Sequence, residues 1–336
     1  MQASSEIPAA PAAARRSGLL EFIVKAAVTA GLLAFLFAKL DLKATAHQLA
    51  SAGPGAFVLG TAIILLLSLL VSLRWQLILE AMNNPLGFLP CWRLVMVGLF
   101  FNQTLPSSIG GDAVRILMTA RLTKSFRAGL VSVALDRLFA LIALCACVAV
   151  ALPLLLKGPA AALAVLVMTM AVLGTLGLFF FDTAAARLSP LASRLAGARV
   201  RAVASRPLDL LRESSRVFGL ILRRPAASFV ILGTSVVNQL ALGVIVYVMA
   251  RALGTNLSLS DALLVFPLAM LVSMVPISLG GWGVREASMV WLLGSVGICP
   301  QEAVSISILF GLVNTASGLP GGVLWLLGRR SERVRG

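Results

Sequence analysis

The chain has 336 residues, of which 59% are hydrophobic and 12% charged, and its mean hydropathy is +0.99. A water-soluble domain carries about 25% charged residues; this composition provides no polar shell, so the bilayer must be the solvent. The net charge of +15 does not mark a nucleic-acid binder, because the arginines sit between hydrophobic runs and not on one amphipathic face with aromatic residues interleaved.

In chain order, residues 1–18, rich in Ala and Pro, read as a disordered cytoplasmic tail, and the run after them lacks a small-residue cleavage site and is expected to stay as an anchor. Apolar runs long enough to cross the hydrocarbon core fall at 19–38, 56–80, 128–152, 160–181, 227–250 and 303–327, within a single transmembrane domain, 19–328. Two more apolar stretches, 92–109 and 262–280, are interrupted by Pro and a Gly pair and followed at once by charges, which predicts broken or re-entrant helices. Between 182 and 225 Arg alternates with apolar residues. There Pro207 opens a run with Leu208, Leu211, Phe218 and Ile221 on one side and Arg212 and Arg216 on another, an expected interfacial helix drawn to anionic lipid. Residues 329–336 read as a basic tail. With a cytoplasmic N-terminus, 20 of the 28 Lys and Arg residues face the cytoplasm, while Lys25, Arg74 and Arg137 fall within spans. The positive-inside rule then predicts two cytoplasmic termini in a bacterial-type inner membrane.

The broken segments share a pattern. Pro106-Ser107-Ser108-Ile109-Gly110-Gly111-Asp112-Ala113-Val114-Arg115 and Pro276-Ile277-Ser278-Leu279-Gly280-Gly281-Trp282-Gly283-Val284-Arg285 repeat Pro-x-Ser-Ile/Leu-Gly-Gly-x-Ala/Gly-Val-Arg at an offset of 170 residues. Leu59-Gly60-Thr61 and Leu232-Gly233-Thr234 open the preceding spans. The unit is span, broken segment, span, with repeat 1 at about 56–152 and repeat 2 at about 227–327. Under the charge-derived topology the two units run in opposite directions, the inverted arrangement of transporters whose site lies at the repeat interface near the midplane.

Chemically, Pro ends a helical ladder and Gly-Gly turns the backbone at little cost. Free amides at a helix start form an anion site, with Ser108 and Ser278 as added donors and Arg115 and Arg285 positioned for a bidentate grip on phosphate. Asp136 and Arg137, inside the third span, need a partner or a wet path. Asn102, four residues before Pro106, is expected to face the same cavity; Gln103, Asn238, Gln239 and Asn314 read as interhelical hydrogen-bonding groups. No metal or cofactor is expected: Cys91, Cys145, Cys147 and Cys299 lie in or beside apolar runs, His47 is the one imidazole, and no nucleotide-binding or hydrolase motif is present.

The stretch Phe101-Asn102-Gln103-Thr104-Leu105-Pro106 through Gly110-Gly111-Asp112 to Arg115, then Asp136-Arg137, then Pro276 through Gly280-Gly281 to Arg285-Glu286, resembles the lysylphosphatidylglycerol synthase transmembrane family, the flippase-like region of the multiple peptide resistance factor. The resemblance covers about 19–328 and implies a polytopic lipid translocase. It puts the headgroup near Asn102, Asp112 and Arg115 in one half and Arg285 and Glu286 in the other. The full expected substrate-binding set is Asn102, Ser108, Gly110, Gly111, Asp112, Arg115, Asp136, Arg137, Ser278, Gly280, Gly281, Arg285 and Glu286. Because the chain ends at Gly336, no aminoacyl-transferase domain is expected and no aminoacyl-lipid synthesis. Stand-alone relatives are associated with varied lipids, hopanoids and polyprenyl-linked sugars among them. The expected partners are membrane lipids with anionic headgroups, with no nucleic acid; a homo-oligomer and separately encoded lipid-synthesis enzymes are compatible with the sequence. A membrane-embedded lipid-modifying enzyme with Asp112 or Glu286 as base, or a non-transporting scaffold of a lipid or cell-envelope synthesis complex, are the alternatives.

Overall fold

A computed structural model describes residues 42–104, 110–155, 198–273 and 283–334, with short stretches between 27 and 34 and between 165 and 177. The described residues are helical and contain no strand. Among the described residues, ten helices have defined bounds: α1 (Leu42–Ser51), α2 (Gly53–Ala81), α3 (Phe88–Thr104), α4 (Gly110–Thr123), α5 (Phe126–Leu155), α6 (Ala198–Leu222), α7 (Pro225–Ala252), α8 (Leu259–Ser273), α9 (Val284–Ser295) and α10 (Pro300–Val334).

Local chemistry sets the ends of the long helices. Pro54 and Pro225 stand in the first turns of α2 and α7, where the missing N–H costs nothing. Past α7, Gly254 turns at a φ of 76°, a left-handed geometry natural to glycine.

Among the described residues, four helices are long and apolar enough to cross a membrane: Gly53–Ala81, Phe126–Ala151, Pro225–Ala252 and Pro300–Gly328. They correspond to the runs expected at 56–80, 128–152, 227–250 and 303–327. The runs at 19–38 and 160–181 lie largely outside the described residues, as does the 1–18 tail. In the two interrupted stretches one short helix precedes each motif and another contains its end: α3 and α4 in the first, α8 and α9 in the second.

Two expectations need correction. Pro207 does not open its helix but lies inside α6, which starts at Ala198. Nor is α6 purely interfacial: Phe218 and Ile221 are buried with Phe139, Leu135 and Ile231, while Leu208 and Leu211 stay exposed. Helix α10 continues through Pro320 and Gly321-Gly322 to Val334.

Packing partners repeat along the chain. Helix α2 packs on α3, α3 on α4 and α4 on α5, just as α7 packs on α8, α8 on α9 and α9 on α10. Between the two sets, α2 meets α7, α3 meets α10 and α5 meets α8; α5 also meets α7, as α10 meets α2. Lipid tails are as apolar as leucine, so such contacts rest on close packing more than on transfer from water. Small residues supply it: a Cβ on Gly60 would run into Met249, one on Gly321 into the Met96 carbonyl, and one on Gly129 into the Ile116 carbonyl. Large apolar side chains such as Leu66, Phe229, Leu312 and Val323 point outward, an outer surface suited to lipid. Helix α1 is tied to the start of α10, where Ser305 Oγ donates to Gln48 Oε1 at 2.8 Å and Gln301 Nε2 to Thr45 Oγ1 at 3.1 Å.

Candidate functional site

The first motif opens α4 against α3. Gly111 comes so near the Gly98 carbonyl and the Asn102 carboxamide that any side chain there would collide with both. Its N–H donates to Asn102 Oδ1 at 3.0 Å. Asn102 therefore sits against the first motif. The expected free amide at this position is corrected, however, because the carboxamide already satisfies it.

One turn into α4, Asp112 and Arg115 point inward, and one charged residue from α2 and two from α5 meet them. Asp136 is 2% exposed. Its Oδ1 accepts from Arg74 Nε at 2.7 Å and lies 2.6 Å from Arg74 Nη2, while its Oδ2 accepts from Arg115 Nη1 at 3.1 Å. Arg74 Nη1 also donates to Ser235 Oγ of α7 at 2.9 Å. Arg137, with a side chain 51% exposed, grips Asp112 in a fork: Nε to Oδ2 and Nη2 to Oδ1, both at 2.7 Å. Arg115 Nη1 is 3.6 Å from Asp112 Oδ1. The Arg115 guanidinium lies over the Trp75 ring, its Cζ 4.2 Å from the centroid. Its aliphatic stem passes Gly98, where a Cβ would come within 2.8 Å of Arg115 Cδ. Three arginines and two aspartates thus interlock across α2, α4 and α5.

In the second half, Gly283 takes a φ of 83° immediately before α9 and its N–H donates to Glu286 Oε2 at 2.6 Å. A carboxylate at a helix start also meets the positive end of the dipole. Arg285 Nε and Nη2 both donate to Glu286 Oε1, at 3.0 and 2.5 Å. Its guanidinium also stands 5.8 Å from the Phe310 ring centroid of α10. The amide and arginine expected to receive a phosphate here are thus already engaged by Glu286.

Of the expected site residues, the structure brings Asn102, Gly111, Asp112, Arg115, Asp136 and Arg137 together, with Gly110 at the first position of α4. Arg285 and Glu286 pair with each other. Ser108, Ser278, Gly280 and Gly281 lie outside the described residues. Arg74, Trp75, Gly98 and Ser235 belong to the cluster without having been singled out for it; a lone arginine inside the second span was the available signal, since a cation there demands a partner. Asn314 does not bridge helices as expected: its Nδ2 donates to the Phe310 carbonyl of its own helix at 3.0 Å.

Apolar spanning helices around a buried network of charges define a multi-pass helical membrane protein with a polar interior. The chain belongs to the family described as the lysylphosphatidylglycerol synthase TM region, whose model matches residues 22–321. That membership ties the chain to membrane lipid. No curated protein matches it.

Proposed function

We propose that the chain is a lipid flippase of the bacterial inner membrane, moving a lipid with an anionic phosphate-containing headgroup between leaflets, with both termini in the cytoplasm and no catalysis of its own. The headgroup travels through the polar interior while its acyl chains stay in lipid. Two inverted halves, α2–α5 and α7–α10, carry it, and the spans at 19–38 and 160–181 complete a set of six. Support for the repeat comes from the duplicated motif and from packing partners that match one for one between the halves.

The observation that carries the reading is the buried cluster, in which three arginines face two aspartates beside the first motif. A charge in the middle of a span costs about 2.5–3.5 kcal/mol on insertion scales. A static scaffold gains nothing from an odd number of charges there, whereas an anion carrier needs a surplus cation along its path. The test is leaflet translocation of labelled phosphatidylglycerol and a labelled polyprenyl phosphate in proteoliposomes holding wild type or the Arg115→Ala/Arg285→Ala double variant. Wild type is expected to move one of these lipids and the variant to be slower by about tenfold or more, the worth of one charge-assisted hydrogen bond. Equal rates at matched amounts of folded protein would overturn the site, and no movement of any lipid by folded wild type would overturn the flippase reading.

A further inference from the structure

The four arginines of the two motif regions differ in which guanidinium edge they use. The Nε–Nη2 edge presents two parallel N–H donors and fits two oxygens of one oxyanion. Arg74 directs that edge at Asp136, Arg137 at Asp112 and Arg285 at Glu286. Arg115 approaches its aspartates through Nη1 alone. Its Nε and Nη2 are buried and have no hydrogen-bond partner among the described residues, in a side chain 5% exposed. An unpaired buried donor costs about 1–3 kcal/mol, more when charged. Stacking on Trp75 fixes the plane of this edge, so the two donors are held ready for one ligand.

Charge sets the kind of ligand. Asp112 and Asp136 balance two of the three arginines, leaving a single positive charge in excess. A phosphodiester brings one negative charge over two free oxygens; a phosphomonoester brings about −1.5 to −2 at neutral pH and would leave the interior negative. Arg74 makes this arrangement possible. It occupies Asp136 Oδ1 with two donors and is itself anchored on Ser235. Without it Asp136 would have Arg115 as its one hydrogen-bonded cation and would draw in the whole edge.

We infer that the open edge of Arg115 is the binding site for a lipid phosphodiester carrying one negative charge, and that Arg74 is the positioning residue that keeps this edge free. The inference rests on the lipid-transport reading for its class of ligand and adds the headgroup chemistry.

The experiment measures binding, separately from transport. Purified protein in detergent is mixed with equimolar phosphatidylglycerol and phosphatidic acid of identical acyl chains, and the singly lipidated species are compared by native mass spectrometry. Wild type is expected to retain phosphatidylglycerol over phosphatidic acid by about tenfold. Asp136→Asn, which raises the excess to two charges and keeps an acceptor for Arg74, shifts the preference toward phosphatidic acid. Arg74→Gln, which makes the cluster neutral, lowers phosphatidylglycerol retention about tenfold. Arg74→Gln combined with Asp136→Asn restores the wild-type preference. Arg115→Lys keeps the charge but removes the paired donors, and also loses about tenfold.

A purely structural role for Arg74 would change melting temperature and leave the ratio of the two lipids unmoved. Wild type without a preference, or an Asp136→Asn ratio equal to wild type, overturns the inference. If a variant does not fold, the wild-type ratio decides alone. Displacement of bound phosphatidylglycerol by equimolar soluble glycerophosphoglycerol would overturn the lipid as ligand. Translocation without headgroup preference defeats this inference alone; selective retention of phosphatidylglycerol with no translocation defeats the transport reading alone.

Discussion

Arg115 and Arg285 occupy the same position in two copies of one motif, yet their surroundings solve the problem of a buried cation in opposite ways. Arg285 turns to its sequence neighbour Glu286 and, beyond it, to the apolar ring of Phe310. The Arg285–Glu286 ion pair is neutral in itself and is made within one helix. Arg115 shares Asp136 with Arg74, 62 residues from that aspartate, and Asp112 with Arg137, 25 residues from it. That network holds three helices together and carries a surplus charge. Sequence duplication therefore does not imply duplicate chemistry: one half anchors a helix start, and the other keeps a donor edge available.

The sharpest way to break this comparison is to remove a carboxylate from each half. Asp136→Ala leaves Arg74 and Arg115 facing each other in the interior, and losing one partner of a buried pair costs about 3–5 kcal/mol. Folded yield on size exclusion is expected to collapse, while Glu286→Ala, which removes one carboxylate contact of Arg285 and the acceptor of the Gly283 N–H, loses clearly less; equal losses would erase the distinction. A middle-sized effect is expected from Ser235→Ala, which removes the hydrogen bond from Arg74 to α7. The melting temperature should fall by the equivalent of about 2 kcal/mol, the worth of a bond to a charged group, and an unchanged value would mean that this contact does not couple the halves. The smallest comes from Asn102→Ala, which uncaps the Gly111 N–H at about 1 kcal/mol. Hydrogen exchange followed by mass spectrometry should show faster exchange at the start of α4 and none of that change at α9, whose cap is Glu286.

Much of this was legible because membranes constrain sequence strongly. Runs of about 20 apolar residues announce spanning helices, and α2, α5, α7 and α10 lie where those runs fall. Asp112, Arg115, Asp136 and Arg137 were readable as members of one site because ionisable residues in apolar segments are costly without function or partners. Which partner each one takes was not readable. The contact between Arg74 and Asp136 depends on the rotation of α2 against α5, and that between Arg74 and Ser235 on the register of α2 against α7; neither is written in local spacing. The amides after the glycine pairs looked open because a Gly-Gly step says nothing about a side chain reaching back, as Asn102 and Glu286 both do. Pro207 looked like a helix start because proline favours that position, but the flanking turns of α6 continue past it.

The wide spacing of Arg74 from its partners has a consequence for how the protein is made. Synthesis delivers α2 to the membrane 62 residues before Asp136 exists and 161 residues before Ser235 does. Through that interval the arginine has neither of these partners, and a lone arginine inside a span weighs against insertion, by up to about 2.5–3.5 kcal/mol at the centre. The 29-residue length of α2 lets the hydrophobic run shift and the side chain reach toward an interface while it waits. The partners of that arginine arrive only with α5 and α7, so the charged cluster that serves the finished protein also ties the final seating of an early helix to the synthesis of later ones.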